Sequence, residues 1–530
     1  MEQRTHKVYY NTHTWLGILS GILLFVVTFS GFPAMFAHEL ENWQSPTLNQ
    51  LQPADDIDLD RLLSAARVQD FGTETFFIVP ETDHGYAMVA YFNDSETDIR
   101  HIELGNYQPI DIGESEVAHI FEHLHTDLHL PRPFGRYLVG LAGMVMLLSI
   151  IAGIVIHNKW RKEFVMLRPK RSWRLLLTDQ HKLLGLWTLP FSFVLAFTGT
   201  ILGLLGIISP ILALAKFDGN VEQATIAVLG PRAEVVHEAA PAVSLNMLYL
   251  EAQAAQPKLE TTFIQVDGYG DAGGVVKFSG NHQIGLSNLQ SVTYSLKDGR
   301  QIHELNGVER GPFQRIFAAV TPLHYVLFGD IVLKFFYAIS TLALCALIVS
   351  GNMIWLEKKK QGQTKHQQAV PADEKPHILA RLTLGICAGL VFSCAATLSA
   401  SQWLHGITLS TDIHQHDLEE GIFWLSWIAA AVYAFIGSDI HHKIRLYLAV
   451  TALTLLSVLL ADGLINSRHL LNGNEITQGV HLTLTALALV CGYFSWKLPK
   501  PQMKQRTKHR SKSEQASDAE APPLSERQTA

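Results

Sequence analysis

NTHTWLGILSGILLFVVTFSG, residues 11–31, returns in altered form as TDQHKLLGLWTLPFSFVLAFTG, residues 178–199, and this echo organises the chain. The two stretches share a histidine, a glycine four residues later and a second glycine eighteen residues after the histidine. The matched pairs are His13/His181, Gly17/Gly185 and Gly31/Gly199. Eighteen residues make five helical turns, so the three positions fall on one face of each helix. Each face offers an imidazole beside residues with almost no side chain.

A weaker echo lies further along, where HLHTDLHLPRPFG (123–135) and TPLHYVLFG (321–329) share L-H-x-x-L and pair His125 with His324. The chain therefore reads as two parallel units of helix, outward region, helix, related by a pseudo-twofold axis along the membrane normal.

Composition names the solvent. Of 530 residues, 48% are hydrophobic and 17% charged. Apolar runs recur at 14–37, 137–157, 182–209, 330–356, 378–404, 421–437, 444–465 and 477–497. About 20 apolar residues cross a bilayer core, so the expected class is a polytopic α-helical membrane protein with about eight transmembrane helices. The first run is read as a retained helix, since it is long and no small-residue cleavage site stands out after it.

The net charge of −7 hides a segregation of Lys and Arg. HNKWRKEFVMLRPKRSWR (157–174), EKKKQGQTKH (357–366), HHKIR (441–445) and KLPKPQMKQRTKHR (497–510) are basic and follow spans two, four, six and eight. Basic loops stay in the cytoplasm, so both termini are expected inside a bacterial inner membrane.

The layout expected is an N-terminus with span one (1–37), an outward domain (38–136), span two (137–157), a basic cytoplasmic loop (158–181) and span three (182–209). A second outward domain (210–329), span four (330–356), a cytoplasmic linker (357–377), a four-helix membrane module (378–498) and a disordered cytoplasmic tail (499–530) complete it. Each outward region opens with a helical stretch, IDLDRLLSAARV or SLNMLYLEAQAAQ, and continues in alternating strands, which suggests a helix on a small antiparallel sheet. The expected fold thus carries two small α+β periplasmic domains, inserted between helices one and two and between helices three and four.

Histidines are the chemistry-bearing residues. His13, His157 and His181 gather at the cytoplasmic ends of the spans, and His125, His129 and His324 at the outer ends. Two layers of imidazoles inside a helical bundle suit two b-type haems, each needing two axial nitrogens from facing helices. The repeat pairs His13 with His181 and His125 with His324, leaving His157 and His129 as alternates. The outward TDIHQHD cluster at 411–417 reads as a solvated loop before a metal site, and His405 and His481 as markers of a lesser further site.

Absences narrow the chemistry. The four cysteines, Cys345, Cys387, Cys394 and Cys491, lie in apolar runs without CxxC or CxxCH, which disfavours covalent haem and a disulfide framework. GYGDAGG (268–274) lacks the context of a dinucleotide loop, and no Walker, HExxH or nucleophile-elbow motif occurs. No nucleotide-binding motif and no nucleic-acid partner are expected. An electron donor would be a quinol or a cytoplasmic reductase.

On NTHTWLGILSGILLF, LHTDLHLPRPFGRYLVGLAG with IAGIVIHNKW, DQHKLLG and LHYVLFGD, the chain resembles the PepSY-associated transmembrane family of iron-regulated membrane proteins over about residues 5–360. Within that family it is most similar to di-haem siderophore-iron reductases. The resemblance implies two PepSY domains, two b-type haems among the first four helices, and reduction of a ferric siderophore or other iron chelate at the periplasmic face with release of Fe(II). The competing expectation is a non-redox PepSY protein that binds or transports a ligand or modulates a periplasmic peptidase. The four helices from about 377 to 498 lie beyond the resemblance, and their role is open.

Overall fold

The computed structural model describes residues 3–67, 75–92, 97–157, 159–168, 172–234, 236–309, 311–366, 376–407, 413–468 and 474–498. The expected tail at 499–530 and Asp412 of the TDIHQHD cluster lie outside the described residues.

The first unit opens with α1, Gln3–Ala34, followed at once by α2, Ala37–Gln44, and then by α3, Leu59–Arg67. Strands β1 (Phe76–Glu81), β2 (Tyr86–Phe92), β3 (Thr97–Glu103) and β4 (Pro109–Ile110) precede α4, Val117–Thr126, and α5, Phe134–Ile156. A short turn of helix, α6 at Trp160–Glu163, leads to the second unit.

That unit runs through α7 (Trp173–Trp187), α8 (Leu189–Lys216), α9 (Val221–Leu229) and α10 (Leu245–Ala255). Strands β5 (Leu259–Asp267), β6 (Val275–His282), β7 (Gln290–Ser295) and β8 (Gln301–Asn306) follow, then α11 (Pro312–Tyr325) and α12 (Ile331–His366). The C-terminal module comprises α13 (Ile378–Leu382), a π-helical turn at Thr383–Ala388, α14 (Gly389–Leu404), α15 (Gln415–Phe435), α16 (Ile440–Ile465) and α17 (Glu475–Lys497).

Eight helical stretches are long and apolar enough to cross a membrane: α1, α5, α8, α12 up to Gln361, α13 through α14, α15, α16 and α17. Leu19, Leu214, Leu425, Leu453 and Leu489 stand more than 60% exposed on them. In water such surfaces would associate, whereas in lipid they meet their own kind. The chain is a multi-pass membrane protein.

Two features differ from the sequence expectation. Span three is two helices, not one, because Pro190 supplies no N–H and the helix breaks at Thr188. His181 therefore sits on α7, ahead of the break, and Gly199 on α8. The two regions expected to face outward also share one sheet. Its eight antiparallel strands run β4-β3-β2-β1-β5-β6-β7-β8, so the two halves meet where β1 pairs with β5 through Phe76↔Val266, Phe77↔Gln265 and Ile78↔Ile264. Joining the halves satisfies backbone groups that two separate domains would leave as exposed edges.

One core serves the joined sheet. Phe76, Ile78, Ile264, Val266, Val276 and Phe278 point to one face and are buried under Leu59 and Leu62 of α3 and Leu245 and Leu248 of α10. The helix starts satisfy each other's free amides: Leu245 N donates to Asp60 Oδ1 at 2.7 Å, and Leu59 N to Asn246 Oδ1 at 2.7 Å. This cross-capping locks the two halves into one roof at the sheet end of the bundle.

Candidate functional site

Below the roof, α5 and α8 touch through glycine. A Cβ on Gly203 would lie 2.5 Å from Gly140 Cα, and Gly143 faces Thr200 in the same seam. Close backbone approach of this kind is a common solution for helices in lipid, where packing replaces the hydrophobic drive. Helix α1 lies against both α5 and α12, which closes a four-helix arrangement.

Inside it the histidines fall into two pairs. The rings of His13 on α1 and His181 on α7 have centroids 6.1 Å apart, and those of His125 on α4 and His324 on α11 are 5.9 Å apart. His125 and His324 lie at the ends of short helices that precede spans two and four, not on the spans themselves. Along α1, the 14 to 18 residues from His13 to the Val27 and Gly31 surface that His125 touches correspond to about 21–27 Å. One pair thus lies at the sheet end and the other at the opposite end.

The hydrogen bonds decide which nitrogen each ring presents. His13 Nδ1 donates to the Ser149 carbonyl (2.9 Å), His181 Nδ1 to the Leu347 carbonyl (3.1 Å) and His125 Nδ1 to the Val27 carbonyl (2.8 Å). His324 Nδ1 lies 2.9 Å from Thr198 Oγ1, whose own hydrogen goes to the Val194 carbonyl at 2.7 Å. That hydroxyl must therefore accept. All four rings carry their proton on Nδ1 and present an unprotonated Nε2, the arrangement of a metal-binding histidine steadied from behind. Among the described residues none of these four Nε2 atoms has a hydrogen-bond partner.

Small residues frame the rings. A Cβ on Gly31 would meet His125 Cε1 at 2.9 Å, and one on Gly199 would meet His324 Cε1 at 3.1 Å. Gly153 stands against His13 and Gly351 against His181, each at 3.3 Å. The repeat is visible here as chemistry: equivalent glycines on equivalent helices make room for equivalent rings.

The two alternates are placed elsewhere. His129 Nε2 donates to the Ile120 carbonyl at 2.8 Å, and its ring packs on Phe423 and Trp424, so that nitrogen is committed. His157 caps the end of α5, 3.6 Å from Glu163, and is not in ring contact with another histidine among the described residues. In the TDIHQHD cluster, His414 bonds Glu114 and His416 faces Asp417.

Around the sheet-end pair the surface is polar and aromatic. Tyr325, next to His324, is half-exposed, and Arg132 holds the buried Asp127 at 2.6 Å. Partial desolvation pushes the Tyr325 phenol up, Arg136 and Arg132 oppose the rise, and Glu122 adds to it. Burial likewise raises the Glu122 carboxyl against the pull of His119, His123 and Arg132.

Sequence reading marked His405 and His481 but not the buried carboxylate they adjoin where the C-terminal module meets the first unit. Asp462, fully buried on α16, accepts from His481 Nε2 (2.7 Å), Arg468 Nε (2.9 Å), Asn466 Nδ2 (2.9 Å) and Trp43 Nε1 (3.1 Å). Glu419 on α15 accepts from Ser115 Oγ (2.9 Å) and the Glu116 amide (3.0 Å) ahead of α4. An aspartate inside an apolar run was the available signal. These contacts join a shared apolar core of Phe25, Phe29, Trp43, Phe121, Phe423 and Val458, so the module is welded to the first unit.

Comparison with known proteins agrees with this architecture. The chain is 29% identical over 291 residues to an uncharacterized protein of Pseudomonas aeruginosa, which spans 53% of this chain and 71% of that one. Residues 10–358, well over half of the chain and covering both histidine pairs, match the family described as the PepSY-associated TM region, and the chain belongs to that family.

Proposed function

We propose that this chain is a b-type haem oxidoreductase of the bacterial inner membrane that carries electrons outward and reduces a ferric siderophore, releasing Fe(II). The observation that carries the reading is the pair of histidine couples at opposite ends of one bundle.

The fit to haem can be argued from distances. A first-row metal lies about 2.0–2.1 Å from an imidazole nitrogen, and the ring centre about 1 Å behind it, so two rings on opposite sides of one metal have centres about 6 Å apart. The separations of 6.1 Å and 5.9 Å are compatible with that spacing. His13 with His181 would hold one haem and His125 with His324 the other. Bound there, haem supplies one-electron redox chemistry. The carbonyls of Ser149, Leu347 and Val27 and the Thr198 hydroxyl fix each ring's tautomer, and the glycines keep the approach to the rings clear.

The basic segments after the even-numbered spans support an orientation with the sheet and the His125/His324 pair in the periplasm and both termini in the cytoplasm. The roof and the half-exposed Tyr325 would then form the surface that meets an iron chelate. One electron converts Fe(III), which the hard oxygen donors of a siderophore hold well, to Fe(II), which they hold less tightly. The donor is a quinol or a cytoplasmic reductase.

The test is reoxidation of dithionite-reduced protein by ferric siderophores under anaerobic conditions, with Fe(II) trapped by a chromogenic chelator. Stoichiometric reoxidation with Fe(II) appearing is the expected result. Reduced protein that ferric siderophores leave unchanged would overturn the substrate assignment, and a haem-free protein would favour the non-redox reading.

A further inference from the structure

At the sheet end a third group of ligating side chains converges, made of residues other than the paired histidines. His38 lies in the first turn of α2, directly after span one. Glu81 ends β1, and His84 ends the 3-10 turn Thr82–His84 that leads into β2. Gly85 shapes that turn. It takes φ +77°, its amide donates to the Thr82 carbonyl at 3.0 Å, and a Cβ there would overlap the Gln52 carbonyl oxygen at 2.0 Å. Only glycine fits, and the turn it permits brings Glu81 and His84 to the same side, facing α2.

One nitrogen or oxygen from each of His38, Glu81 and His84 lies within 4.8 Å of the other two. The His38 and His84 rings have centroids 4.5 Å apart, and His38 Nε2 is 3.5 Å from Glu81 Oε2. Asn42 sharpens the chemistry. Its Nδ2 donates to the His38 carbonyl at 3.0 Å and, with its second hydrogen, to His38 Nε2 at 3.3 Å. That imidazole nitrogen is therefore unprotonated, and it lies beside the Glu81 carboxyl. A cation between the two would take that nitrogen's lone pair in place of the long Asn42 contact, leaving Asn42 bonded to the His38 carbonyl.

We propose that His38, Glu81 and His84 form a binding site for a divalent first-row transition-metal ion. Two imidazoles and one carboxylate on one side of an ion leave its remaining positions open to water or ligand, and the donor set suits Fe(II) or Zn(II) better than Ca(II) or Mg(II). The site is reachable, since the His38 and Glu81 side chains keep 37% and 28% of their exposure. Glu39, Glu41 and Asp83 add negative charge nearby, with Lys334 paired to Glu39 as the opposing cation. The site uses none of the four paired histidines and stands whether or not the chain is a haem reductase.

The experiment is equilibrium dialysis of the purified full-length protein in detergent, stripped with chelator and then exposed to Zn(II) as probe, with zinc per chain read by mass spectrometry. Wild type should retain one zinc that Glu81→Gln and His84→Ala each weaken at least tenfold. Unchanged thermal melting will show that the variants are folded, and His414→Ala should retain the zinc. Wild type that binds no zinc, or an unchanged zinc affinity in folded Glu81→Gln and His84→Ala, would overturn the proposal.

Discussion

The two repeat units hold their histidines alike but are not equally supported, and the contrast separates what the site requires from what surrounds it. In the first unit α1 is unbroken, His125 is held by the Val27 carbonyl, and the C-terminal helices cover one flank through Trp43, Phe121 and Asp462. In the second, the helix breaks at Thr188, ahead of Pro190, and His324 is held by the Thr198 hydroxyl. Ring separation, Nδ1 donation and glycine contact persist across the repeat. Helix continuity, the identity of the acceptor and lateral packing do not.

The largest expected effect lies in the flank that only the first unit has. Asp462→Ala leaves Arg468, His481 and Trp43 without their shared acceptor in a buried setting, a loss of about 3–5 kcal/mol. Thermal unfolding in detergent should show the C-terminal module melting before the rest. A single transition at the wild-type temperature would mean that the module is not held by this cluster.

A smaller asymmetry is expected at the glycines. Gly31→Ala brings a methyl within 2.9 Å of a ring that Val27 prevents from shifting, whereas Gly199→Ala meets His324 at 3.1 Å. Overpacking of this kind costs about 1–3 kcal/mol, with Gly31 toward the upper end. Comparing the melting temperatures of the two variants checks the order, and equal losses would show that the repeat has the same slack on both sides.

Thr198→Val is the mildest change, at about 1 kcal/mol, because it removes one hydrogen-bond acceptor and keeps the shape. On the reading proposed above it should shift the midpoint potential assigned to the His125/His324 pair and leave the other unchanged. The first unit offers no equivalent substitution, since its acceptor is a backbone carbonyl. An unchanged potential would remove the Thr198 bond from the account of that pair.

Much of this arrangement can be read from residue order, and physics explains the remainder. Eight spans follow from run length, because a bilayer imposes one length on every crossing. The His13/His181 and His125/His324 correspondences follow from the repeat, and the structure places the matched rings side by side. The shared sheet is not readable, since β1 and β5 lie more than 180 residues apart and an edge pairing leaves no local signature. The His38, Glu81 and His84 group depends on a turn that swings β1 back toward α2, which no spacing rule anticipates. Pro190 and Asp462 were visible as letters, yet their effects, a broken helix and a buried hub, needed neighbours to define them.

The central claim is that each histidine pair holds one haem, and the most direct measurement is haem per chain in protein purified from haem-replete cells. Wild type should carry two b-type haems, and His181→Ala and His324→Ala should each carry one, with different remaining potentials. A wild-type protein without a Soret band, or two haems retained in both variants, would contradict the account.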